Sequence, residues 1–179
     1  MHNKATYETA LLGMLSALAM ALSFLESTLT PVLGLMPAIK IGLSNIVVMY
    51  ALLMLGRRPA FLLVLLKAGF AFLVRGATAG FLSLCGGGLS FFTFCVLLAL
   101  PFPVTGYIFS VCGALAHNTG QLLGAAVLLS DRMALGYAPI LLVCATVVGS
   151  ATWAVSHALF PALQKVLPGR GRGESNIKF

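Results

Sequence analysis

Charge is what this sequence has least of. Of its 179 residues only 8% are Asp, Glu, Lys or Arg, where soluble domains carry about 25%. Four residues are acidic, and Asp131 is the sole aspartate. That scarcity excludes the clustered carboxylates that hold Mg²⁺ against a diphosphate while negative charge develops. No Walker lysine pattern, HExxH or GxSxG occurs either. The four cysteines, Cys85, Cys95, Cys112 and Cys144, form no CxxC pair, and each lies in an apolar run. They read as small buried hydrophobes rather than as metal ligands or disulfide partners. No metal and no cofactor is expected, and the chain is not expected to be an enzyme. A cleavable signal peptide is not evident, because the apolar run over 10–25 continues too far and lacks a convincing small-residue cleavage site.

Apolar residues are abundant: 60% of the chain is hydrophobic and its mean hydropathy is +1.04. The sequence therefore predicts an all-α integral membrane protein. The net charge of +7 does not imply nucleic acid, because the basic residues flank apolar segments. Six transmembrane helices in one bundle are expected, at about 7–25, 39–55, 59–75, 80–100, 105–129 and 137–160. A loop holding Glu26, Pro31 and Pro37 follows the first, Gly56-Arg57-Arg58-Pro59 stops the second, and Pro101-Phe102-Pro103 stops the fourth. Residues 1–163 form one membrane domain, and 164–179 a basic, flexible cytoplasmic tail. With both termini in the cytoplasm, Lys4, Arg57, Arg58, Lys165, Arg170, Arg172 and Lys178 lie inside. Lys40, Arg75 and Arg132 lie outside, and Lys67 falls within the membrane, which agrees with the positive-inside bias. No internal repeat is visible.

Polar residues inside the apolar spans are the candidates for function, since they are costly at that depth unless they find partners or line a cavity. The fifth helix carries Gly113-Ala114-Leu115-Ala116-His117-Asn118-Thr119-Gly120-Gln121. His117, Asn118 and Gln121 can share one helical face by their spacing of three and four. They read either as a face toward a small-molecule ligand or as bonds between helices. Lys67 lies deep in the third helix, as a cation for an anionic group or for Glu26. Lys40 and Asn45 open the second helix, where free backbone N–H groups favour anions. Arg75 ends the third helix on the outer side and either marks the interface or joins Lys40 and Lys67 in a basic site. Glu26 is the acidic residue at that rim.

Cys85-Gly86-Gly87-Gly88 weakens a helix by about 1 kcal/mol per glycine. It points to peptide groups around Gly87 bared beside a ligand, or to close helix packing. Gly13, Ala17 and Ala21 form a small-residue ridge on the first helix, and Gly120 and Gly124 repeat the spacing on the fifth. Such ridges let helices approach closely, within the protein or against a membrane partner.

Three strings, Lys40-Ile41-Gly42-Leu43-Ser44-Asn45-Ile46-Val47, Leu82-Ser83-Leu84-Cys85-Gly86-Gly87-Gly88-Leu89-Ser90 and Gly113 to Leu122, resemble the family named heptaprenyl diphosphate synthase component I, also called the Gx transporter family. The resemblance covers about 10–160. In size and six-helix layout it is also similar to the S components of energy-coupling-factor vitamin transporters. That likeness implies a bacterial cytoplasmic-membrane protein that binds a small molecule; the residues read above, His117, Asn118, Gln121, Lys67, Lys40, Asn45, Arg75, Glu26 and Gly87, are the ones expected to bind it. A T subunit, docked on Gly13, Ala17 and Ala21, and separate ATPases would energise it. The component I name implies instead a non-catalytic accessory among membrane lipids, whose partner is a prenyl diphosphate synthase or a redox subunit.

Overall fold

The computed structural model describes residues 4–32, 43–129, 138–166 and 177–178. Within them the chain forms six helices: α1 (Lys4–Val32), α2 (Leu43–Leu55), α3 (Arg57–Arg75), α4 (Ala77–Ala99), α5 (Gly106–Leu129) and α6 (Ala138–Val166). The all-helical expectation holds. Two stretches, Thr6–Thr28 of α1 and Ala77–Ala99, are long and apolar enough to cross a membrane. The remaining helices are shorter or carry polar groups such as Lys67 and His117, and these point inward.

Single glycines make the two tightest connections. Gly56 joins α2 to α3 at φ 96°, ψ −176°, and Gly76 joins α3 to α4 at φ 90°, ψ 174°. Only glycine adopts that region without strain. The chain folds straight back at Gly76: a Cβ on Gly80 would lie 2.6 Å from the Phe72 Cβ, and one on Gly87 would lie 3.0 Å from Val64. Positions whose numbers rise on α4 thus meet positions whose numbers fall on α3, so the pair is antiparallel. The same holds for α4 and α5, where Ser90 Oγ donates to the Gly113 carbonyl at 3.0 Å and Gly86 faces His117 and Gln121. Tyr107 against Trp153 and Gly149 against Val111 set α5 and α6 antiparallel.

Three boundaries depart from expectation. Glu26 is not in a loop; α1 runs to Val32 and buries Glu26 at 2% exposure. A carboxylate read as a break in the apolar pattern is here an inward position of the helix. The stop expected at 56–59 is one residue long, because α3 starts at Arg57 with Pro59 in its first turn. A proline costs little there, since the first N–H groups have no helical acceptor. The last helix passes 160 and continues through Pro161 to Val166.

At the centre lies α2, buried continuously from Ser44 to Leu52. A helix apolar all round belongs in a core. Leu15 and Ala19 of α1, Ala60, Leu63 and Val64 of α3, Phe94 of α4 and Phe109 of α5 complete that core. Phe94 stacks on Phe109 with ring centres 4.5 Å apart, and a Cβ on Gly113 would run into the Phe94 ring. Val104–Thr105 (β1) pairs in parallel with Ile177–Lys178 (β2), which brings that part of the tail to the α4–α5 turn. Residues 167–176 and 179 of the tail, with Lys40, Asp131 and Arg132, lie outside the described residues.

Candidate functional site: a polar layer within the bundle

Lys67 is 5% exposed, and its ammonium donates to Asn45 Oδ1 at 3.2 Å. The two side chains link α3 to α2. Glu26 of α1 is buried as well, at 2% exposure, and Arg75 ends α3. One Arg75 guanidinium nitrogen, Nη2, is buried with no hydrogen bond among the described residues. The structure thus brings Asn45 and Lys67 together.

His117 and Gln121 stand across α4 from this group. A Cβ on Gly86 would lie 2.7 Å from Gln121 Cγ, 2.8 Å from the His117 carbonyl oxygen and 3.0 Å from His117 Cε1. Val64, one turn before Lys67, lies against Gly87. Lys67 and the His117–Gln121 face therefore sit at similar depth on opposite sides of the α4 glycine strip. Asn118 is buried at 3% exposure beside them on α5, and Gln121 Nε2 is buried with no hydrogen bond among the described residues.

The glycine strip is unbroken helix. Gly86 admits α5, Gly87 admits Val64 of α3, and Gly88 has open space beside it. Gly120 completes the seam: a Cβ there would lie 2.5 Å from the Cys85 carbonyl oxygen and 2.9 Å from Gly86 Cα. The two small-residue ridges have opposite fates. Gly120 and Gly124 are spent inside on α4, whereas Gly13, Ala17 and Ala21 are all exposed and Gly13 has nothing within 4 Å.

Sequence reasoning passed over the buried hydroxyls Ser83, Ser90, Ser110, Thr152 and Ser156. Small hydroxyl residues in apolar helices favour helix interfaces, and that signal could have found them. Asn45, Met49, Phe94, Ser110, Ala114 and Thr152 line a small cavity, roughly one water molecule in size. Among the described residues no group of three or more His, Cys, Asp or Glu side chains could hold a metal ion.

The fold and this interior define a helical bundle whose chemistry is buried polar contact between helices. The family model of heptaprenyl diphosphate synthase component I matches residues 15–159, and the chain belongs to that family. Membership of a component I family bears out the expectation that the chain is not itself an enzyme. No curated protein and no solved structure matches the chain. The likeness to transporter S components, with their T subunit and ATPases, gains no support from the family match.

Proposed function

We propose that this chain is the non-catalytic membrane component of a polyprenyl diphosphate synthase and works beside a separate catalytic chain. The family match over residues 15–159 carries this reading. The composition supports it: one aspartate cannot build the acidic clusters that Mg²⁺–diphosphate chemistry requires. A growing prenyl chain gains about 0.8 kcal/mol for each CH₂ that leaves water, so its elongation favours a membrane-bound site. A polytopic helical component supplies that location for a soluble catalyst.

In this reading all six helices lie in a bacterial cytoplasmic membrane with both termini inside. Arg57 and Arg58, both exposed, then face the cytoplasm beside the α4–α5 turn and the basic tail. That end attracts an acidic face of the catalytic chain, and anionic lipids where no protein covers it. The buried bond of Lys67 to Asn45 ties α3 to α2 beneath it.

The test is reconstitution. The chain in lipid nanodiscs is mixed with the prenyl diphosphate synthase of its own cell, and product length and pelleting are followed. Retention of the synthase on the discs with a shift to longer products is expected. A synthase that stays in solution, with product length unchanged, overturns the proposal.

A further inference from the structure

The outer face of the α3–α4 pair carries a furrow with a basic mouth. Arg58, Phe61, Leu65, Gly69 and Phe72 follow one another at spacings of three and four, so they form one stripe along α3. All five are exposed. Leu84, Gly88 and Phe91 form the matching stripe on α4. The Phe61 and Phe91 rings, with centres 5.4 Å apart, set the two stripes side by side. The helices touch just inside them, where Gly87 admits Val64. Gly69 and Gly88 each have nothing within 4 Å of the place a Cβ would take, so the stripes are notched between their larger apolar side chains. From Arg58 to Phe72 the stripe is about 21 Å long, at 1.5 Å per residue.

The mouth of the furrow suits an anion. Arg57 and Arg58 are both exposed, and among the described residues neither guanidinium has a hydrogen bond or an ion pair. Helix α3 starts at Arg57 with no acidic residue in its first turn and no side-chain cap, so its free N–H groups add to the two charges. Arginine binds phosphate oxygens bidentately. A pair of them matches a diphosphate, with more than one negative charge, better than a phosphodiester with one. The apolar length behind the mouth suits a hydrocarbon chain. Its two notches suit a chain with methyl branches rather than a straight acyl chain.

We propose that the furrow between α3 and α4 binds a prenyl diphosphate, its diphosphate on Arg57 and Arg58 and its branched chain along Gly69 and Gly88. This inference rests on the synthase reading above and adds to it a place for substrate or product. In that orientation the diphosphate stays at the cytoplasmic surface, where a separate catalytic chain reaches it, while the hydrocarbon lies in the membrane.

The test leaves the synthase out. The chain in phosphatidylcholine nanodiscs is irradiated with a farnesyl diphosphate analogue bearing a diazirine on its terminal isoprene unit, and labelled peptides are identified by mass spectrometry. Label within 61–72 and 84–91 is expected, and excess geranylgeranyl diphosphate should displace it. Arg57→Gln with Arg58→Gln should weaken labelling about tenfold or more. Gly88→Leu fills one notch without touching the cations and should weaken it too, with a circular dichroism melt showing that this variant folds. Label spread equally over α1 and α6, displacement by phosphatidylglycerol as effective as by geranylgeranyl diphosphate, or unchanged labelling in both variants overturns the proposal. Because no synthase takes part, such a failure leaves the retention of the synthase on nanodiscs untouched, and the two readings fail separately.

Discussion

Lys67 and Asn45, 22 positions apart in sequence, meet inside the bundle through a buried 3.2 Å hydrogen bond that ties α3 to α2. A buried ammonium stripped of its acceptor is costly, so Asn45→Ala should destabilise by about 3 kcal/mol. Lys67→Met removes the charge and keeps much of the volume, so it should cost less. Because the two residues share one bond, the double variant should lose less than the two single losses together, by about 1 kcal/mol or more. Reversible unfolding in mixed detergent micelles measures all three, and strict additivity would show that the bond contributes nothing.

The seam between α4 and α5 makes a graded prediction. A methyl group on Gly120 has no room against the Cys85 backbone, whereas one on Gly88 meets open space. Gly120→Ala should therefore destabilise by about 1–3 kcal/mol through overpacking. Gly88→Ala should be neutral or stabilising by up to about 1 kcal/mol, from helix propensity alone. Thermal midpoints of the two purified variants decide this, and equal effects would contradict the packing described.

Gly56 and Gly76 separate backbone strain from crowding. Both have open space where a methyl group would sit, yet both hold φ near 90° with extended ψ. Alanine at either site should cost about 1–3 kcal/mol although nothing clashes. Circular dichroism melts of Gly56→Ala and Gly76→Ala provide the measurement, and a stability equal to the parent at both sites would count against these connections.

Sidedness can be read chemically. Arg58 and Thr78 are exposed at opposite ends of α3 and its turn into α4. In a background lacking Cys85, Cys95, Cys112 and Cys144, Arg58→Cys should react with an impermeant thiol reagent only from the cytoplasmic side. Thr78→Cys should react only from the other side. Labelling of both from one side would refute the proposed crossing of α3.

Gln121 offers a last contrast. Its Nε2 is buried without a hydrogen bond among the described residues, so Gln121→Met discards a polar group that contributes little. Stability should stay within about 1 kcal/mol of the parent. The unfolding assay used for Asn45→Ala checks this, and a loss well beyond that would refute it.

Composition and pattern were enough to set the class of this protein. Sparse charge and long apolar runs separated by Pro and Gly dictated helices, and their number and approximate places follow from that pattern. A lone aspartate ruled out a diphosphate-processing centre. The inward direction of Lys67, Asn45, His117, Asn118 and Gln121 was legible too, because polar groups in apolar helices are costly elsewhere. Which of them meet was settled by packing in three dimensions. Hydrogen-bond partners depend on the relative rotation and depth of helices far apart in sequence, and local spacing carries neither quantity. Glu26 shows the consequence: a carboxylate beside turn residues reads as a loop, yet the helix runs past it and packing buries it. The glycines show it again, since Gly13 and Gly120 look alike in the chain. Only the fold leaves one bare and presses the other against the Cys85 backbone.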